Sequence, residues 1–176
     1  GGYTRLYTLL EQQRAAAPGA VITLDGGDFS MGTLFQTVYT TEAAELRMLG
    51  AMGYDVTTFG NHEYDFRAQG LADMLNAALD SGDPLPAIVQ GNYRPLTTQN
   101  TDGNTEISDD TLAVSAAVQS ALDRYGVTDY AVIERDGVRF AVFGLLGEDA
   151  DACAPMSGMA FEPIADAAQR IVADIE

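Results

Sequence analysis

Three short apolar runs dominate the first half of the chain: AVITL at 20–24, DVTTF at 55–59 and PAIVQG at 86–91. Each is short enough for a buried strand, and a helical pattern separates it from the next. Between the first two, Leu46, Leu49 and Met52 form an apolar stripe. Thr41 reads as the N-cap of that helix, with Glu42 and Glu45 at the positive end of its dipole and Gly53 as its stop. Between the second and third, Leu71, Met74, Leu75 and Ala78 predict a helix over 68–79, closed by SGDP. Strands joined by single helices run parallel, with right-handed crossovers. The expected fold class is therefore α/β: a mainly parallel sheet with helices on its faces.

The flanks add to this frame. Tyr3, Leu6, Tyr7 and Leu10 recur at helical spacing, and Pro18-Gly19 ends that helix. From Pro95 to Asp110 the composition turns to Thr, Asn, Asp and Gly, an exposed loop, and a helix is expected over 112–125. The run YAVIERDGVRFAVFGLLG holds two strand patterns around Asp136-Gly137, which predicts a late β-hairpin. Ile164, Ala167, Ala168, Ile171, Val172 and Ile175 mark a closing amphipathic helix. At 176 residues the length suits one domain, covering 1–176, with 95–126 reading as a loop-plus-helix insertion. Met48, Met52 and Met74 fall on helical stripes and belong to the core.

Charge narrows the partners. With 26 acidic against 9 basic side chains, the formal net charge is -17. Such a surface repels a phosphate backbone, which argues against nucleic-acid polymers. A phosphate-bearing small molecule would need its charge met by something else, and bound divalent cations are the natural candidate. No apolar run approaches the roughly 18–20 residues of a membrane-spanning helix. Cys153 is the only cysteine, so it has no partner for an intrachain disulfide and reads as inert. The acidic stretch DGNTEISDD at 102–110 lacks the acid pattern of an EF-hand loop and reads as solvated.

Two loops carry the chemistry. GDFSMGT follows the first predicted strand and offers Asp28, with Asp25 just before it. GNHEYDF follows the second and offers Asn61, His62, Glu63 and Asp65. Both leave the sheet at its carboxyl edge, where open α/β sheets place their ligands. Adjacent strands lie about 4.8 Å apart, so Asp28 and Asn61 could reach a common ion. Carboxylate and amide oxygens suit a hard cation, and a pair of such ions activates phosphoryl transfer to water. His62, the only histidine, could assist a leaving oxygen, with Asp65 as its orienting acid. Simpler roles stand beside these: a turn histidine bonded to a carbonyl, a loop-closing turn at Asp28, a strand-ending Asp25, and scaffold roles for Glu63 and Tyr64.

GDFSMGT followed by LGAMGYDVTTFGNHEYDF resembles the calcineurin-like metallophosphoesterases, in particular the amino-terminal domain of the 5′-nucleotidase and 2′,3′-cyclic-nucleotide phosphodiesterase group. GGYTRLYTLL and DGVRFAVFGLLGE resemble flanking stretches of that group. The resemblance implies that Asp28 bridges two metals, that Asn61 is an amide ligand, and that His62 is catalytic with Asp65 orienting it. It implies two divalent cations (Mn, Zn, Mg or Ca), a nucleotide phosphate ester as substrate, and an extracytoplasmic, bacterial setting.

The same resemblance calls for an Asp-x-His motif ahead of Gly1 and two further histidines beyond Glu176. The glycine start and the helix running to Glu176 point the same way, to a piece of a longer enzyme whose remaining chain is its main partner. The expectation for residues 1–176 alone is weak metal binding and no useful phosphatase activity. The competing reading is a degenerate, non-catalytic homologue acting as a binding or surface-displayed domain.

Overall fold

The computed structural model of this chain describes residues 2–98 and 108–176. Helix α1 (Tyr3–Ala16) is followed by an extended stretch, a glycine-rich loop and a 3-10 turn, Leu34–Val38. Then come α2 (Tyr39–Glu42), α3 (Ala44–Ala51), β1 (Val56–Thr57), a second 3-10 turn (His62–Tyr64), α4 (Arg67–Ser81), β2 (Ala87–Ile88) and β3 (Tyr93–Pro95). The second half holds α5 (Asp109–Tyr125), β4 (Tyr130–Arg135), β5 (Val138–Phe143), α6 (Glu148–Cys153), β6 (Met159–Phe161) and α7 (Ile164–Ile175). Helix dominates and the strands are short.

The parallel layer runs through four chain segments. Leu24 bridges Val56, β1 pairs with β2, and Val89 bridges Thr128, all parallel. α3, α4 and α5 lie in the three connections, which is the alternating order the apolar runs predict. The first run is less regular than a full strand: only Leu24 bridges, supported by Asp25 N–H donating to Val56 O (3.0 Å) and Asp55 N–H to Thr23 O (2.8 Å). Beside this layer, β3 pairs antiparallel with β6, and β4 with β5. The β4–β5 turn has Asp136 at φ 52° and Gly137 at φ 78°. Two left-handed residues in a row match the twist of a tight hairpin, which is why Asp-Gly marks it in sequence.

The core sits where α4 meets α5. Leu71, Met74, Leu75 and Ala78 are fully buried against Val118, Ala121 and Leu122. Each large aliphatic side chain buried there contributes about 1.5–3 kcal/mol. α4 stops at Gly82 (φ 70°). α5 begins at Ser108, whose hydroxyl accepts the Thr111 N–H at 3.2 Å, and it ends at left-handed Gly126. Residues 102–107 of the acidic stretch lie outside the described residues, whereas Asp109 and Asp110 form the first turn of α5. Met52 and Met74 are buried, and Met48 is partly so.

One boundary differs from the sequence reading. Thr41 does not cap the helix after it. Ala43 adopts a left-handed conformation (φ 46°) and splits the segment into α2 and α3. Thr41 lies inside α2 and its hydroxyl donates back to Val38 O. The break lets Tyr39, Ala43 and Leu46 all turn into the core, a tertiary gain that offsets the strained alanine.

Candidate active site

The two loops expected to carry chemistry touch each other. Gly27 is left-handed (φ 87°), and so is Asp28 (φ 56°), a conformation L-residues adopt at a cost of roughly 1–2 kcal/mol. A Cβ on Gly27 would stand 2.6 Å from the Gly60 nitrogen, and one on Gly60 would stand 2.1 Å from Asp28 Oδ1. Only glycine at both positions allows this approach.

Glu63 knits the two loops together. Its side chain is fully buried and accepts three backbone N–H groups: Gly60 (2.6 Å) and Asp28 (2.9 Å) on Oε2, and Ser30 (3.1 Å) on Oε1. Burial pushes its carboxyl above the usual range, and the three N–H donors hold it back. Tyr39 anchors the same turn from the other side, its hydroxyl donating to Glu63 O at 2.8 Å. Asp25 closes its own loop, with Oδ2 accepting Gly27 N–H (3.0 Å) and the Thr57 hydroxyl (2.7 Å). Thr58 and the Phe59 N–H both donate to Gln90 Oε1 (2.9 and 3.4 Å), which ties the second loop to the third segment of the layer.

On this base the four expected site residues come together. The His62 backbone N–H donates to Asp28 Oδ1 at 3.1 Å. His62 Nδ1 stands 3.1 Å from Asp65 Oδ2, and both side chains are about one-third exposed (30% and 36%). An ionised carboxylate only accepts, so Nδ1 carries the proton in that pair and Nε2 is left for other work. The Asp65 bond raises the imidazole above its ordinary 6.5, against a smaller opposing effect of burial. Asn61 lies between Gly60 and His62 at the head of the 3-10 turn, its side chain making no cap bond.

Sequence reasoning missed Gln36. Its Nε2 donates to Asp65 Oδ2 at 3.0 Å from the 3-10 turn Leu34–Val38. Nothing in the local pattern around a glutamine 29 residues away marks it as a partner of Asp65.

The donor set suits one edge of a hard-cation site. Among the described residues, Asp28 Oδ2 and the Asn61 side chain take no hydrogen bond, so two hard oxygens stand open on loops in contact. Also among the described residues, no three His, Cys, Asp or Glu side chains group closely enough to hold a metal ion.

No protein-family model matches the chain. Over 159 residues, 88% of its length, it is 31% identical to the trifunctional nucleotide phosphoesterase protein YfkN of Bacillus subtilis (strain 168), of which it spans 11%. Over 105 residues, 54% of its length, it is 39% identical to the 5′-nucleotidase of Bos taurus, of which it spans 18%. The crystal structure of a 5′-nucleotidase precursor from Thermus thermophilus matches 99% of the chain and 29% of its own, with a TM-score of 0.69 and 24% identity. The chain is related in sequence to 5′-nucleotidases and nucleotide phosphoesterases, and its fold is that of the calcineurin-like phosphoesterases. It spans under a fifth of the length of either relative just named. The mixed helix and strand architecture with small sheets is the fold of this phosphoesterase family.

Proposed function

We propose that this chain supplies part of the catalytic centre of a phosphoesterase that hydrolyses nucleotide phosphomonoesters or cyclic nucleotides. The observation that carries the reading is the His62–Asp65 pair standing beside the open Asp28 carboxylate, with the His62 N–H bonded to that same carboxylate. Asp28 and Asn61 would hold divalent cations, together with ligands that these two loops do not provide. When bound, such cations polarise the phosphoryl group and neutralise its charge, which an acidic chain of this kind cannot do alone. In its protonated form His62, with Nδ1–H bonded to Asp65, presents Nε2–H as the proton donor to the leaving oxygen and is left as the neutral Nδ1–H ring. Asp65 sets the ring's orientation and stabilises its protonated form. Kinship with 5′-nucleotidases supports a nucleotide substrate and a location outside the cytoplasm. Among the described residues, no helix is long and apolar enough to cross a membrane.

The test uses the protein expressed from its full natural reading frame, assayed with a nucleoside monophosphate and Mn²⁺. His62→Ala is expected to lower kcat by about 10²–10⁴-fold while leaving bound metal unchanged. Turnover at the wild-type level would remove His62 from the mechanism. A wild-type protein that neither binds metal nor turns over would favour the non-catalytic homologue.

A further inference from the structure

Asp65 Oδ2 accepts two hydrogen bonds, one from His62 Nδ1 at 3.1 Å and one from Gln36 Nε2 at 3.0 Å. We propose that Gln36 is a positioning residue: it fixes the Asp65 carboxylate so that the imidazole keeps its proton on Nδ1 and presents Nε2 to the substrate. The catalytic part of this inference rests on the phosphoesterase reading above; the positional part does not.

Three observations support it. First, the Asp65 side chain is over one-third exposed, and the torsion that turns a carboxylate about its own axis is soft. A single bond to another half-exposed ring would leave it free to swing. A second donor on the same oxygen removes that freedom.

Second, the donor is neutral. An arginine or lysine in its place would cancel much of the charge that Asp65 directs at His62. The glutamine amide occupies one lone pair and leaves the formal charge in place. It also has the right polarity, since only its nitrogen can face a carboxylate.

Third, Gln36 is carried on a braced turn. The Thr33 hydroxyl accepts the Phe35 N–H at 3.1 Å and donates to the buried Glu45 at 3.2 Å, while the Thr37 hydroxyl donates to Leu34 O at 2.7 Å. Just after the turn, Tyr39 bonds Glu63 O and stacks on Phe66, the residue after Asp65, with ring centroids 5.5 Å apart. The turn is thus fastened on both sides to the segment it orients.

His62 is the only histidine of residues 1–176, so the ring signals that vanish in His62→Ala are its own, whatever histidines the full reading frame adds. The experiment compares ¹⁵N ring spectra of the wild-type protein, Gln36→Leu and Asp65→Asn at one alkaline pH without added metal, and then kcat and KM of the protein from its full reading frame. The wild type is expected to show the Nδ1–H form. Gln36→Leu is expected to move the two ring nitrogens toward the averaged shifts of mixed tautomers, as Asp65→Asn does more completely. It should also lower kcat about tenfold, at the low end for outer partners of site histidines, with KM unchanged. An unchanged thermal midpoint for Gln36→Leu separates positioning from folding. Ring spectra identical to wild type would overturn the inference, whatever the rate. Shifted spectra with an unchanged kcat would leave the positional role standing and instead remove His62 from the phosphoesterase reading.

Discussion

Glu63 receives three backbone N–H groups from two loops, and that arrangement tolerates no donor in its place. Glu63→Gln keeps the shape but turns one oxygen into an NH₂ group facing an N–H. One buried donor is then left without an acceptor, at a cost of about 1–3 kcal/mol. Urea unfolding at pH 7 should show the loss as a lower midpoint with the same slope. An unchanged midpoint would mean that the carboxyl is already protonated and amide-like in the native state. From sequence, Glu63 reads only as scaffold. Its work was not legible there because Asp28 and Ser30 come 35 and 33 residues earlier. Their approach depends on Gly27 and Gly60 standing face to face. The His62–Asp65 pair was legible because three residues separate its members within one loop. Gln36 was not, because loop packing alone brings it to Asp65.

At the scale of elements, α1 is a 14-residue helix with no buried residue. Its stripe of Tyr3, Leu6, Tyr7 and Leu10 predicts the helix correctly but overstates its burial. Arg14 does much of the holding. Its guanidinium donates to Met52 O and Gly53 O, both at 2.8 Å, and to the Thr23 hydroxyl at 3.0 Å. It thereby serves carbonyls at the C-terminal end of α3, where a cation is favoured, and clips α1 to the stretch leading into the Leu24 bridge. Arg14→Ala should strip hydrogen-exchange protection from residues 3–16 while α4 and α5 keep theirs. Retained protection in α1 would show that contacts such as the Tyr3–Phe35 ring pair suffice. Elements with strong periodicity were the legible ones: α4 and α5 bury wide apolar faces, and Asp136-Gly137 admits few turns. The α2–α3 break was hidden because nothing local favours a left-handed alanine over a capping threonine. The β3–β6 pair was hidden because three-residue strands far apart in sequence carry no period of their own.

For the whole molecule, charge and burial act in the same direction. At neutral pH the chain carries -17, and its sequence pI is near 4.1, so acidification relieves self-repulsion. Three groups near the loops add a second contribution. Glu45 and Glu63 are raised above 4.5, chiefly by burial, and His62 is raised above 6.5, chiefly by Asp65. Between its unfolded and folded pKa each group binds more protons in the native state, so stability falls as pH rises through that interval. For the glutamates the loss begins above about 4.5, and for His62 above about 6.5. The thermal midpoint should therefore decline from pH 5 to pH 8, with each kcal/mol worth about 2–4 °C in a domain of this size. Salt separates the two causes, because it screens exposed charges and leaves buried carboxyls largely untouched. In high salt the slope should shrink without vanishing, and Glu45→Gln should shrink it further. A midpoint that is flat or rising over this range in high salt would show that burial does not raise these carboxyls. The decline with pH would then belong to surface repulsion alone.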